Sequence, residues 1–98
     1  LGYKIIERNF TWKTGEIDIV AFDLKKEELV FIEVKTRSNY SYGTPAEAVT
    51  NVKQKHIYKA ARYYIHLHNL YELYTRIDVI EILLRNNSYK LNHLKQVT

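Results

Sequence analysis

Four charged residues stand where strands are expected to be apolar. Glu16 and Asp18 lie two apart in the run Gly-Glu-Ile-Asp-Ile-Val, and Glu33 and Lys35 lie two apart in Leu-Val-Phe-Ile-Glu-Val-Lys. Ile17, Ile19 and Val20 in the first run, and Val30, Ile32 and Val34 in the second, are β-branched, so both runs read as β-strands. Residues two apart on a strand share a face, so each charged pair projects together. The loop Leu24-Lys25-Lys26-Glu27 joins the two runs. A simple hairpin centred between Lys25 and Lys26 sets Asp18 opposite Glu33 and Glu16 opposite Lys35. Like charges directly opposed destabilise a sheet. Something cationic between the carboxylates relieves this, and a divalent ion and the ammonium of Lys35 both qualify.

The elements that must position these residues follow from the rest of the chain. Gly2 to Phe10 reads as a first strand with imperfect alternation. Thr11 to Gly15 reads as the turn into the second strand, with Gly15 free to take a positive φ and Trp12 capping the core edge. Ser38 to Gly43 is a polar loop that leaves the third strand just after Lys35, with Arg37 at its root. Such loops are natural places for substrate contacts. Thr44, Pro45 and Glu47 supply an N-cap, a first-turn proline and a capping-box acid, which predicts a long helix over about 44–69. Ala46, Val49, Ile57, Ala60, Ala61 and Tyr64 form its apolar stripe, which is expected to pack on the sheet.

Lys53 falls inside that stripe and Gln54 borders it. A lysine on a buried face needs an anion or a route to solvent. The nearest anions are the strand carboxylates or a substrate phosphate. Lys55, Lys59, Arg62 and His66 line the other side of the helix and read as a solvated face, with contact to a DNA backbone as the alternative. His66 and His68, two apart on a helix, are about 200° apart and do not chelate one ion. Thr75 to Leu84 reads as a fourth strand in which Arg76 and Asp78 form a structural ion pair, with a supporting role near the site as the alternative. Arg85 to Ser88 is a turn, and Tyr89 to Leu94 a last, edge strand.

With 98 residues the chain fits one small domain, 1–98. A net charge of +4 favours a polyanionic partner. The 9 tyrosines read mainly as amphipathic packing at the core edge, although exposed ones can stack on bases. The lack of cysteine excludes disulfides and Cys-ligated zinc. No apolar run approaches about 18 residues, so no membrane partner is expected and a cytoplasmic location is.

The charged hairpin resembles the PD-(D/E)xK nuclease motif. Asp18 matches its Asp, Glu33 its second acid and Lys35 its Lys, while Ile17 stands where the motif has Pro. The longer pattern adds Gly43-Thr44-Pro45-Ala-Glu-Ala-Val49 and Lys53-Gln54, and over Gly2 to about Asn92 the chain resembles the YraN-like family, itself similar to archaeal Holliday-junction resolvases. Gln54 and Tyr58 also match a Gln-x-x-x-Tyr motif of RecB-like nucleases. The resemblance implies a restriction-endonuclease-like α/β fold, with a mixed sheet of about five strands and the long helix packed on one face. It implies a further N-terminal helix, carrying a Glu near the metal site, ahead of Leu1.

The activity implied is metal-dependent hydrolysis of DNA phosphodiesters, with branched or structured DNA as substrate. Asp18, Glu33 and the backbone carbonyl of Val34 would bind Mg²⁺ or Mn²⁺, with Glu16 as a further ligand or neighbour. Lys35 would act on water and phosphate, and Gln54 would orient the water or Lys35. Arg37, Lys53 and Tyr58 would contact the nucleic acid. Resolvases cut two strands symmetrically, which implies a homodimer. The alternative is a non-catalytic nucleic-acid-binding module or pseudo-nuclease. Fold likeness alone does not separate the two.

Overall fold

The computed structural model describes residues 2–13, 15–37 and 51–96, with backbone alone at 37 and 51–54. Alternating apolar and polar runs become the strands β1 (Tyr3–Trp12), β2 (Gly15–Asp23), β3 (Glu28–Arg37), β4 (Tyr74–Arg85) and β5 (Ser88–Leu94), with the helix α1 (Asn51–Leu67) between β3 and β4. They form one mixed five-stranded sheet in the order β1-β2-β3-β4-β5. Three neighbouring pairs are antiparallel. β3 and β4 are parallel, as a strand–helix–strand crossover requires. The expected mixed sheet and a helix packed on it are therefore present, the described helix spanning Asn51–Leu67, 17 residues, against the expected 44–69. The capping residues Thr44, Pro45 and Glu47 lie outside the described residues.

α1 ends where Asn69 takes φ 53°. The Leu70 N–H reaches back to the Ile65 carbonyl at 2.9 Å, and the Asn69 N–H to the His66 carbonyl at 3.3 Å. This is a Schellman cap with asparagine in the left-handed position. Leu70 then folds onto the core.

Ile57, Ala60, Ala61 and Tyr64 are buried as the stripe predicts, against Phe10, Ile17, Val20, Leu29, Phe31 and Ile77 of the sheet. The small alanines let helix and sheet approach closely. At Gly15 the approach leaves no room for a side chain. A Cβ there would overlap the backbone carbonyl oxygen of His56 and stand 2.9 Å from the Ala60 Cβ. Gly15 is required by this contact and not by its φ. The positive φ of the turn, 54°, falls on Lys13 instead. The turn is also tighter than the residues Thr11 to Gly15 imply, because β1 continues through Trp12, which pairs with Gly15. Trp12 packs at the core edge as expected, stacked on Tyr63 at 4.8 Å.

The opposite sheet face buries Ala21, Val30 and Ile32, flanked by Tyr3, Ile19, Val34 and Ile80. At one end of it lies a charged network centred on Arg76, 6% exposed. Its Nε donates to Asp78 Oδ1 at 3.0 Å. Its Nη1 donates to Asp23 Oδ2 at 2.9 Å and Glu28 Oε1 at 2.7 Å, and its Nη2 to the Tyr3 hydroxyl. The Arg76–Asp78 pair is the one the sequence indicates. Asp78 also accepts the Gln96 N–H at 2.9 Å and lies 2.7 Å from His93 Nε2. Asp23 Oδ1 accepts the N–H groups of Lys25 and Lys26, which shapes the β2–β3 turn. Burial pushes the Asp23 carboxyl up, but these hydrogen bonds and Arg76 outweigh it and bring it to about 2. No helix among the described residues is long and apolar enough to cross a membrane.

Candidate functional site

The β2–β3 hairpin is centred between Lys25 and Lys26, as the simple register requires. Asp23 pairs with Glu28, and the ladder runs regularly to Ile19 opposite Ile32. It stops there. One residue further, the Asp18 side chain takes over, and its Oδ2 accepts the Val34 backbone N–H at 2.7 Å. The expected backbone pairings of Asp18 with Glu33 and Glu16 with Lys35 are absent from the ladder.

A kink at Asp18 accounts for this. Ile17 and Val20 both join the helix-side core, although a regular strand puts residues three apart on opposite faces. Across the sheet, Arg8 pairs with Ile19 and Phe10 with Ile17, while the intervening pair of Asn9 and Asp18 drops out. Asn9 has φ 54°, a conformation that asparagine tolerates better than most residues. The kink keeps Ile17 in the core and still turns Asp18 toward the helix side, where Glu33 and Lys35 also project.

Asp18, Glu33, Lys35 and Glu16 line one cleft of about 400 Å³, with Val34 at its floor and His56 and Ile57 of α1 as its wall. Val34 packs its side chain on the other face of the sheet and so offers backbone to the cleft. Glu33 is buried, and Lys35 Nζ lies 3.3 Å from its Oε1. The Asp18 carboxyl is pushed up by burial, against the lowering effect of the Val34 N–H, and further up by the charges of Glu33 and Glu16 and a hydrogen bond with Glu33. The cleft thus holds a like-charge carboxylate pair with the Lys35 ammonium beside it.

The donors are all oxygens, which suits hard cations. Among the described residues no group of three or more His, Asp or Glu side chains is placed to hold a metal ion. Mg²⁺ retains several waters and is commonly held by one or two carboxylates. Asp18 and Glu33 bring two carboxylates into one cleft, which Val34 also lines.

Five of the sequence-selected residues therefore converge: Glu16, Asp18, Glu33, Val34 and Lys35. The side chains of Arg37, Lys53 and Gln54 lie outside the described residues. Tyr58 is not in this cleft. It is 57% exposed and lines a separate depression with Arg76 and Gln96.

Sequence reasoning missed two residues near the site. His56 walls the cleft, and its signal was its position four before Ala60, at the border of the stripe. Glu81 is fully buried and stands beside Lys35 in the parallel register of β3 and β4. Its signal was an acid interrupting the apolar run Ile77 to Leu84.

Comparison with known proteins is consistent along the chain. Residues 1–82 match the model of a family described as "Uncharacterised protein family UPF0102". A UPF0102 protein of Clostridium perfringens (strain 13 / Type A) is 51% identical over 96 residues, covering 96% of this chain and 77% of the relative. A UPF0102 protein of Clostridium botulinum (strain Hall / ATCC 3502 / NCTC 13319 / Type A) is 52% identical over 99 aligned residues, with the same coverage. By the family match and by these relatives, the chain belongs to the uncharacterised protein family UPF0102.

Proposed function

We propose that this protein is a metal-dependent endonuclease of the PD-(D/E)xK type with a restriction-endonuclease-like fold, hydrolysing phosphodiester bonds of branched or structured DNA. The observation that carries the reading is the Asp18–Glu33 carboxylate pair, which shares a cleft with Lys35 on one face of a hairpin. Such a pair lowers stability, because like charges repel and burial costs the charged form of each. Asp18, Glu33 and the Val34 carbonyl are the ligands, and Glu16 flanks them. When bound there, Mg²⁺ or Mn²⁺ polarises a phosphoryl oxygen and acidifies water.

The protein's own residues then have distinct tasks. Lys35 offsets charge building on the phosphate and orients the attacking water. Gln54 orients the same water or Lys35. Arg37 and Lys53 bind the DNA backbone, and a homodimer presents two such sites to a two-stranded substrate. The water oxygen bonds to phosphorus and releases a proton to solvent as the bond from phosphorus to the leaving sugar oxygen breaks, and that oxygen takes up a proton from solvent water.

Calorimetric titration of Mn²⁺ into the protein, beside Glu33→Ala, tests the site. Binding is expected in the first and not the second, together with Mn²⁺-dependent cleavage of branched DNA that both Glu33→Ala and Lys35→Ala abolish. Wild-type cleavage by Glu33→Ala sinks the assignment.

The second reading is a nucleic-acid-binding module that does not cut. It is favoured by the lack of a third side-chain ligand among the described residues. DNA binding that persists in EDTA, with no cleavage in Mg²⁺ or Mn²⁺, selects it.

A further inference from the structure

A second cleft, of about 530 Å³ against about 400 Å³ for the carboxylate cleft, lies where the β1–β2 turn meets the side of α1. Lys13, Lys59 and Arg62 supply its cations, and Trp12, Tyr63 and Tyr71 its rings. Among the described residues no Asp or Glu lines it. Lys59 and Arg62 belong to the helix side that reads in the sequence as a solvated face, with DNA-backbone contact as the alternative. The β1–β2 turn rises beside that side and makes it one wall of a cleft.

The internal order of the cleft matters. Trp12 is stacked on Tyr63 with ring planes 11° apart, and Lys13 Nζ lies over the Trp12 ring, 4.7 Å from its centroid. The stack is therefore a platform with a displaceable cation on it, which a π-face can replace. Tyr71 stands opposite, 64% exposed, with its hydroxyl anchored to His66 Nδ1 at 2.6 Å. The volume lies within the range of about 300–1,000 Å³ that takes a drug-sized ligand, the size of a nucleotide.

The two clefts flank one point of contact, Gly15 against His56 and Ala60. Glu16 lines one cleft and Gly15 the other; His56 lines one and Lys59 the other. Lys59 is three residues beyond His56, about 4.5 Å along the helix axis. Their linings thus adjoin in the chain on both β2 and α1, at that contact.

Resting on the nuclease reading for the cut itself, we propose that the aromatic cleft holds an unpaired DNA segment adjoining the bond to be cleaved. Exposed rings beside cations suit single strands, whose base faces are free to stack, whereas a duplex has already stacked its bases and offers such rings nothing. The substrate class is then DNA with a single-stranded stretch at the cut: a flap, a splayed arm or an unpaired junction.

The test is fluorescence anisotropy in EDTA, so that binding is read without cleavage. The probes are a labelled single-stranded DNA, the blunt duplex of the same sequence and the matching single-stranded RNA. Single-stranded DNA is expected to bind tightest. Tyr71→Ala is expected to weaken it about 5-fold or more, leaving the duplex unchanged. Lys59→Gln/Arg62→Gln is expected to reduce the slope of log affinity against log salt by about 1.4 for the single strand. Thermal melting confirms that these exposed-residue variants are folded. Equal affinity for duplex, tighter RNA binding, or indifference to both variants overturns the proposal. Loss of the single-strand preference alongside intact Mn²⁺ cleavage refutes the cleft and spares the nuclease. The preference without cleavage does the reverse.

Discussion

Asp18 does with a side chain what its neighbours do with backbone: its Oδ2 accepts the Val34 N–H at 2.7 Å just where the β2–β3 ladder ends. One carboxylate thereby both closes the sheet locally and faces the cleft. The two tasks are separable by substitution. Asp18→Asn keeps an acceptor for Val34 and removes a charge, whereas Asp18→Ala leaves that N–H without its partner. The alanine variant is expected to lose about 1–3 kcal/mol in urea unfolding. The asparagine variant is expected to be at least as stable as the wild type, and neither is expected to bind Mn²⁺.

The pH dependence of this site has a definite sign. Asp18 is pushed above the ordinary carboxylate value by burial and by Glu33 and Glu16. The folded state therefore binds the proton more tightly than the unfolded one, and Asp18 costs stability above its folded pKa. Relative to Asp18→Asn, the wild type is expected to gain stability as pH falls through the raised pKa. Parallel melting curves of the two proteins across acid pH measure this difference.

Asp23 behaves oppositely. Its carboxyl falls from 3.8 to about 2. Its contribution is complete above the ordinary value and is lost as pH falls from there toward the folded one. Asp23→Asn is expected to be destabilised at neutral pH, with the gap to wild type closing between those two values. A gap that stays constant in acid urea titrations counts against the Arg76 network as its cause.

Arg76 joins Asp23, Glu28, Asp78 and Tyr3. Arg76→Ala strands buried carboxylates and is expected to cost about 3–5 kcal/mol by denaturant titration. The network lies on the sheet face away from the carboxylate cleft, so any fold that survives is expected to bind Mn²⁺ as before.

Gly15→Ala places a methyl group against the His56 carbonyl. Backbone does not yield as a side-chain tip does, so helix and sheet must part. A loss of about 1–3 kcal/mol is expected. Because His56 walls the cleft, the variant is also expected to bind Mn²⁺ more weakly, which calorimetry reads directly.

Much of this was written locally in the chain. The hairpin centre between Lys25 and Lys26, the helix stripe from Ile57 to Tyr64, the Arg76–Asp78 pair and the edge strand near Leu94 all follow from spacing between close neighbours. What was hidden depends on elements far apart. The kink at Asp18 needs Asn9 of β1 in a left-handed conformation across the sheet. Glu81 meets Lys35 only through the register of a parallel crossover, which periodicity does not set. Gly15 was read as a turn glycine because the helix that crosses it starts far downstream. Tyr58 illustrates the limit of a short motif, since its spacing from Gln54 says nothing about which side of α1 the carboxylates approach.

The position of the carboxylates in the chain bears on how the protein folds. Asp18, Glu33 and Lys35 belong to one hairpin with a short turn, whereas β4 arrives only after the crossover. Short loops close first because their entropy cost is lower. The repulsion between Asp18 and Glu33 is then met early, before the helix covers it. A divalent ion bridging them is expected to speed refolding as well as slow unfolding. Stopped-flow refolding with and without Mn²⁺ reads this, and an acceleration absent from Glu33→Ala assigns it to the pair. On the proposed function, such an ion would be a folding partner of the hairpin before it had any substrate to act on.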